Sequence, residues 1–314
     1  MAQYALRRIL LAIPTVWLAA TLVFIIVRLL PGDPALLMVG DAQDAQALEL
    51  ARRDMGLDQS LPTQYVLWLS SMASFELGES IAMGLPVREL IWARFLVTAQ
   101  LAIPSILLAL LIAVPLGLFA AAQHNKAVDR AAMLSSVVLL SVPSFWVALL
   151  LIMLFGVKLN WLPTVGYVSP AVNLTLAIQF ALMPVLALSL TVIGQLTRMT
   201  RSTALDVLAT DYVLFARAKG LSETTTLLRH VLPNAVAPTL TVAGMIFGSL
   251  LGGAAVIETI FTIPGIGRLL VDSIYARDYP VIQGAVLFVG FLYILVNMLV
   301  DLVYPLLDPR IRLQ

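Results

Sequence analysis

The residues best suited to a chemical role in this chain lie in one polar stretch, residues 198–234, between two long apolar segments. The stretch holds five of the nineteen Lys and Arg residues, namely Arg198, Arg201, Arg217, Lys219 and Arg229. Ammonium and guanidinium groups bind carboxylates, phosphates and anionic surfaces. A basic stretch of this length therefore predicts a docking surface for a partner protein or, alternatively, a solvated loop against anionic lipid headgroups.

The sequence lacks the motifs of other kinds of chemistry. No Gly-x-x-x-x-Gly-Lys-Ser/Thr phosphate loop occurs, so we expect ATP to bind elsewhere. The two histidines, His124 and His230, are far apart and lack the neighbouring carboxylates of a zinc site. No Gly-x-Ser-x-Gly pattern indicates a hydrolase, and no cysteine is present for a disulfide or a thiolate site. We therefore predict neither an enzyme nor a metal- or cofactor-binding chain.

The elements that position the polar stretch are predicted to be helices that cross a membrane. Of the 314 residues, 61% are hydrophobic and 12% charged, whereas a soluble domain has about 25% charged residues. Six stretches reach the roughly 20 residues needed to cross the hydrocarbon core, where every backbone group must be paired within a helix. They are residues 9–30, 99–122, 131–155, 174–196, 235–257 and 281–300. The first is longer than the apolar region of a signal peptide, so we expect it to be retained.

The distribution of positive charge predicts the orientation of these spans. The segments on one side hold eleven Lys and Arg residues: 1–8, 123–130, 197–234 and 301–314. On the other side, 156–173 and 258–280 hold three, once 31–98 is omitted because charge is a poor guide in loops longer than about 60 residues. Both termini and the stretch 198–234, hereafter the inner loop, are therefore predicted to be cytoplasmic.

The outer segment 31–98 is acidic, with nine Asp and Glu residues against four Arg residues. An amphipathic stretch at 42–55 and an apolar one at 61–73, which contains Tyr65 and Trp68, predict short helices lying on the spans. This layer is either a cap against the membrane or a dock for an external partner.

The predicted spans contain one formal charge, Arg28, at the outer end of the first. Secondary carriers usually bury ionisable groups at mid-membrane. The sequence therefore argues against a carrier or channel that works alone, without partner subunits. A membrane scaffold that transports nothing is a further functional alternative.

Gly244, Gly248 and Gly252 form a smooth helical stripe, which predicts either close helix packing or a sliding seam between two states.

The inner loop itself is predicted to form two short helices that meet at Gly220. Apolar residues recur at helical spacing over 204–219, Asp211 is placed to cap the second piece, and Ser222 is placed to cap a helix over 223–232. We expect a compact knob whose small Ala216 and Ala218 enter a groove. The candidate docking residues are Asp211, Tyr212, Ala216, Arg217, Ala218, Lys219, Gly220, Leu221, Ser222 and Glu223.

The core of the inner loop, ARAKGLS at residues 216–222, resembles the cytoplasmic loop of ABC importer permeases. In those permeases a Glu-Ala-Ala run is followed at fixed intervals by Gly, Ile and Leu-Pro, and here Gly220 and Leu232-Pro233 fall at the matching positions. The positions that depart from the pattern are Leu214, Phe215 and His230. The variant ARAKGLS is the form seen in dipeptide, oligopeptide and nickel permeases.

Further motifs resemble the same family in order along nearly the whole chain. They are RRILLAIPT…RLLPGDPA, MGLDQSLPTQY, ETIFTIPGIGRLL…RDYPVIQG and DLVYPLLDPRIR. The resemblance implies an all-α integral membrane protein of type I ABC importer permease architecture, with six transmembrane helices, in a bacterial or archaeal inner membrane. The chain is expected to divide into a first span with its outer helical segment, 1–98, and a five-helix core, 99–314, that carries the inner loop.

The resemblance also implies a function and a set of partners. The chain would be one permease of an ATP-driven importer for di- or oligopeptides; nickel complexes, glutathione and opine-like solutes are alternatives. Two separate ATPase subunits would hold ATP and Mg²⁺, and this chain would hold no cofactor. A second, related permease would complete the pathway, and an extracytoplasmic solute-binding protein would deliver the cargo.

A second candidate site lies on the outer side, at residues 258–268, hereafter the outer hairpin. Pro264, Gly265 and Gly267 predict a sharp re-entry toward the bilayer. Glu258 and Arg268 at its two ends are predicted either to pair with each other or to form a gate at the mouth of the pathway.

Overall fold

The computed structural model describes residues 2–29, 35, 39, 45–54 and 56–307. Parts of the first and last family motifs, residues 30–34 and 308–314, lie outside the described residues, as do 42–44 and 55 of the amphipathic stretch. Within the described ranges the regular structure is helical. The helices are α1 (Ala2–Leu29), α2 (Ala45–Asp54), α3 (Leu61–Ala73), α4 (Val87–Ala122), α5 (Ala127–Ser141), α6 (Ser144–Leu151), α7 (Leu174–Leu208), α8 (Asp211–Ala218), α9 (Glu223–Thr226), α10 (Leu232–Gly253), α11 (Ala255–Ile260), α12 (Ile266–Ala276) and α13 (Tyr279–Leu307). Two π-helical turns, Ile152–Lys158 and Leu227–Val231, follow α6 and α9.

Five helical segments are long and apolar enough to cross a membrane: Leu10–Leu29, Val87–Ala122, Leu174–Leu208, Glu223–Gly252 and Tyr279–Val300. A bent pair makes a sixth if its two arms count as one span. This confirms the all-α membrane fold. Helix α4 begins well before the predicted span start at 99, because Val87, Leu90 and Ile91 are buried against α12 and α13.

The third predicted span, 131–155, is not one straight helix. Helix α5 and the arm Ser144–Lys158 meet at an angle of 94°. Val142 is extended, with ψ 121°, and Pro143 follows with ψ 138°. Proline has no amide hydrogen and pushes the residue before it out of the helical region, so an apolar run that looks continuous breaks here.

Helix α7 occupies the centre of the bundle, packed closely on α4 and α5. A Cβ atom on Gly117 of α4 would lie 2.7 Å from Cβ of Thr200, and one on Gly194 of α7 would lie 2.9 Å from the Ser136 carbonyl oxygen of α5. The absence of side chains at these two glycines therefore lets the three backbones approach to contact distance near the inner end of the bundle.

The stripe Gly244–Gly248–Gly252 faces the last helix, α13. Cβ atoms at these three positions would collide with Val300, Tyr293 and Val289. The stripe thus packs α10 against α13, which confirms the interpretation as close helix packing. A sliding seam between two states stays a prediction.

Helix α3 of the outer layer lies on the spans, as expected. Tyr65 of α3 shares a 2.7 Å hydrogen bond with the hydroxyl of Thr21 in α1. On the same helix, Trp68 donates to Gln283 of α13 at 3.1 Å. The side chain of Phe24 contacts both aromatic rings. Helix α3 therefore ties the first span to the last.

Candidate functional site: the inner loop and the outer hairpin

The inner loop continues α7 without a long break. Helix α7 runs to Leu208, Ala209 and Thr210 form a turn, and α8 follows over Asp211–Ala218. The chain then turns at Lys219 and Gly220 before α9 and its π-helical turn lead into α10. The predicted helices on either side of Gly220 are confirmed, but the second is not a separate short helix. It continues through the π-helical turn into α10, and both form the fifth candidate span, Glu223–Gly252.

Two residues shape the turn between the short helices. Gly220 has φ +82°, in the left-handed region, and a Cβ there would meet no atom within 4 Å. Glycine is thus favoured for its conformation rather than for lack of space. The Ser222 hydroxyl accepts the Thr225 amide at 3.3 Å, which confirms its cap. The corresponding prediction for Asp211 is wrong in register: Thr210 occupies the cap position, and Asp211 is the first helical residue, where its carboxylate still faces the positive helix end.

The knob is anchored to the bundle by its apolar side. Val213 and Val231 are fully buried in a cluster with Leu118 and Ala121 of α4 and Ala204 of α7. Such burial fixes the knob to the inner ends of two long helices. The inner loop is therefore a rigid extension of the bundle rather than a free tether.

The prediction that Ala216 enters a partner's groove is wrong for this conformation, because only 6% of Ala216 is exposed. Positions on a helix that lie three apart share a face, so Ala216 turns inward together with Val213. Ala218 is exposed, as expected. The large apolar residues on the outside of the knob include Leu214, Phe215 and Leu221 instead, with Phe215 69% exposed.

The charges of the knob lie on its surface. Arg217 donates from Nη2 to Glu223 Oε2 at 3.0 Å and so bridges the two short helices across Gly220. Lys219 and Asp211 are exposed. The Tyr212 hydroxyl, half-buried, lies 3.5 Å from the His230 carbonyl oxygen. The outside of the knob thus combines an apolar centre with a charged margin.

The outer hairpin is organised around Glu258, which has 0% exposure. Its carboxylate accepts hydrogen bonds from the Thr98 hydroxyl at 2.6 Å and from the Arg268 amide at 2.9 Å. The Arg268 guanidinium lies 3.6 Å from Asp272 instead. The predicted contact between Glu258 and Arg268 therefore exists through the backbone, and the predicted side-chain pair is wrong.

Gly265 makes this arrangement possible. A Cβ at Gly265 would collide with the Glu258 carboxylate. Gly265 is also the residue before α12, so the carboxylate sits at the amino end of that helix and takes the place of a capping side chain. Thr98 completes the contact, because its hydroxyl oxygen accepts the Ile266 amide at 2.9 Å.

Burial raises the pKa of the Glu258 carboxyl, which lies beyond the end of the fifth candidate span. The hydrogen bonds from Thr98 and from the Gly267 and Arg268 amides act in the opposite direction and do not offset the burial. In this conformation Glu258 is an internal anchor. A role as a gate stays a prediction.

Two buried carboxylates were missed by sequence reasoning. Asp278 accepts the Ser80 hydroxyl at 2.5 Å and the amides of Ile81 and Ala82 at 3.2 Å each, so it fixes the outer layer to the start of α13. An Asp just before a helix is a recognised cap signal and offered a clue. Asp129 binds Arg201, and no spacing pattern connects two residues so distant in sequence.

In the described part of the chain no three His, Asp or Glu side chains come close enough together to hold a metal ion. The arrangement instead provides a rigid knob at one end of a helix bundle and a tightly bonded hairpin at the other.

Comparison with known proteins gives full-length matches. Residues 113–313 match the family described as binding-protein-dependent transport system inner membrane component, and residues 1–102 match the family described as its N-terminal part. A putative peptide transport system permease protein of Brucella abortus (strain 2308) is 42% identical over 313 residues, covering 99% of each chain.

A second relative is the glutathione transport system permease protein GsiC of Salmonella choleraesuis (strain SC-B67), 44% identical over 312 residues and 99% of each chain. Among solved structures, one titled as an amino acid ABC transporter with histidines is 18% identical. It covers 71% of this chain and 94% of its own, with a TM-score of 0.46.

Proposed function

The chain belongs to the family of binding-protein-dependent transport system inner membrane components, and from that premise we propose that it is one permease subunit of an ATP-driven importer for short peptides. The named relatives transport peptides and glutathione, itself a short peptide. Both cargoes carry a free carboxylate and amide groups. Nickel complexes and opine-like solutes have no support among these named relatives.

The observation that carries the proposal is the inner loop. It presents Leu214, Phe215 and Leu221 on a knob whose other side is locked to α4 and α7. Exposed apolar residues gathered on a rigid polar surface are typical of a protein contact rather than of a solvated loop. A knob fixed to two spans passes the motion of a bound partner to those spans.

The family and the exposed inner loop support a proposed set of partners. Two ATPase subunits receive the inner loops of two permeases, and ATP with Mg²⁺ on those subunits supplies the energy. A second, related permease provides the other half of the pathway. An extracytoplasmic solute-binding protein docks on the outer layer, which α3 and Asp278 hold against the spans.

In this mechanism the chain transmits motion from the ATPases to the spans and lines one side of the transport pathway. Closure of the ATPase pair displaces the inner loop, and α7 carries that displacement across the membrane because it is continuous from Leu174 to Leu208. The outer hairpin keeps its shape through Glu258 and Thr98 while the spans move. Cargo passes between the two permeases, and resetting of the ATPases returns the bundle to its starting state.

Purification of the tagged chain in mild detergent from its native membrane tests the proposal. We expect an ATPase, a second permease and, with cargo present, a solute-binding protein to co-purify. A stand-alone carrier would purify without them and bind cargo by itself. A pure, cargo-binding single chain would therefore contradict the proposal.

A further inference from the structure

An ion pair between a buried carboxylate and a partly exposed guanidinium joins α7 to α5 near the inner end of the bundle. Asp129, in the first turn of α5, is 3% exposed. Arg201 of α7 donates to it from both Nε and Nη2, with Nη2 2.7 Å from Oδ2. The Asn125 amide donates to the same Oδ2 at 2.9 Å. Both oxygens of the Asp129 carboxylate therefore accept hydrogen bonds.

The geometry of this pair, hereafter the Asp129–Arg201 clamp, is directional. Two parallel hydrogen bonds between a guanidinium and a carboxylate fix orientation as well as distance. His124, half-exposed, lies with Nδ1 3.2 Å from Arg201 Nη2 and 3.5 Å from Asp129 Oδ2, and so covers the solvent side of the clamp. Apolar contacts between the same helices resist separation but are non-directional. The clamp therefore resists sliding and rotation of one helix against the other.

The position of the clamp connects two parts of the bundle. On α7 it lies between the close approach to α5 at Gly194 and the end of the helix at Leu208, where the inner loop begins to turn. On α5 it lies at the start of the helix, whose other end is the 94° bend into Ser144–Lys158. One end of the clamp thus connects to the inner loop and the other to the broken third span.

Neighbouring charged residues are exposed, unlike Asp129 of the clamp. Arg198 and Asp206 are exposed on the same helix, and Arg130 is exposed beside Asp129. Exposed charges of this kind contribute little to helix positioning. Arg130, which lies outside the inner loop, supplies a matched control on α5.

We propose that the Asp129–Arg201 clamp is the link through which motion of the inner loop reaches the bent third span. The clamp stays closed while the ATPases displace α7, and α5 follows as one body with it. Asp129 and Arg201 are positioning residues, since they touch neither cargo nor nucleotide. The inference rests on the proposed function and names a route for its coupling.

The first test separates coupling from stability. The double variant Asp129→Leu with Arg201→Met replaces the pair by apolar residues, a change that in other proteins is often neutral or stabilising. In the complete reconstituted complex we expect wild-type melting temperature and ATPase co-purification, with cargo uptake per ATP hydrolysed reduced about tenfold. The control, Arg130→Met, removes an exposed charge beside Asp129 outside the inner loop and keeps wild-type coupling.

Wild-type coupling in the apolar double variant would overturn the inference. If that variant does not assemble, Arg201→Lys decides instead. It keeps the charge but loses the paired geometry, so we expect normal assembly and a partial loss of uptake per ATP. Normal coupling in Arg201→Lys together with normal assembly would overturn the inference as well.

A second test asks whether the clamp stays closed. The chain has no cysteine, so Asp129→Cys with Arg201→Cys introduces its only thiols, which a short bis-thiosulfonate can join. We expect the joined complex to recover uptake per ATP that the unjoined one has lost. A joined complex that hydrolyses ATP without uptake would overturn the inference. A wild-type complex without ATP-driven uptake would instead overturn the proposed function.

Discussion

The inner loop and the outer hairpin use similar elements for opposite purposes. In each, two helices meet near a glycine, and each contains acidic and basic residues. In the outer hairpin the Glu258 carboxylate is buried and bonded to Thr98 and to the Arg268 amide. In the inner loop the Arg217–Glu223 pair lies on the surface. The buried Glu258 carboxylate holds the fold, whereas the paired charges of the inner loop lie where a partner protein can reach them.

The two glycines show the same contrast. Gly265 has an ordinary φ of −91° but no room for a Cβ, because the Glu258 carboxylate occupies that space. Gly220 has open space around it but a left-handed φ of +82°. One glycine is required by packing against a buried charge, and the other by a turn that faces outward.

The largest effect on stability is expected from Glu258→Ala. Loss of the carboxylate leaves the Thr98 hydroxyl and the Arg268 amide without their acceptor, at a cost of about 1–3 kcal/mol each. Thermal unfolding of the detergent-purified protein and its abundance in the membrane measure the loss. Glu258→Gln keeps an acceptor oxygen and costs less. An alanine variant of normal stability that fails only in uptake would instead support a gate.

A smaller loss is expected from Gly265→Ala. The added methyl group collides with the Glu258 carboxylate, and overpacking of this kind costs about 1–3 kcal/mol. Because the two residues are in contact, the double variant Gly265→Ala with Glu258→Ala should be less destabilised than the sum of the single variants. Additive melting shifts would contradict the contact.

Gly220→Ala is expected to cost about 1 kcal/mol, from the left-handed conformation alone. Asparagine tolerates this conformation better, so Gly220→Asn should be closer to the wild type. Melting temperatures of the two variants test this order. Equal destabilisation by both would indicate that space, rather than backbone conformation, limits the position.

The smallest effect on stability, and a large one on assembly, is expected from Phe215→Ser. A surface substitution changes stability by about 0.5 kcal/mol or less, but this one removes the most exposed large apolar side chain of the knob. We expect the ATPase to be lost on purification. Phe75→Ser, at an outer phenylalanine 71% exposed, is the matched control and should retain it.

Much of the fold was predictable, because spans and short helices follow from local pattern. The apolar runs predicted the spans, and the outer helix at 61–73 was predicted with its bounds. The break at Pro143 was hidden by a continuous apolar run, since hydropathy reports the preference of side chains for an apolar environment and not the direction of the backbone. Helix ends were misplaced where amphipathic turns continue beyond the apolar window, as at Val87.

The candidate sites were only partly predictable, for a different reason. The position of the inner loop and of its turn at Gly220 followed from local signals. Which face of α8 points outward did not, because that face is set by Val213, which is buried in a cluster with Leu118 and Ala121 of a distant helix. Thr98 and Arg201, which bind Glu258 and Asp129, also come from distant segments, and no local sequence pattern indicates such pairs.

The central claim is that this bundle moves cargo only when ATPase subunits act on its inner loop. Uptake of a labelled short peptide into proteoliposomes tests it most directly, with the chain alone compared with the complete complex supplied with ATP and the solute-binding protein. We predict uptake by the complex and none by the chain alone. Uptake by the chain alone at the rate of the complex would contradict the account.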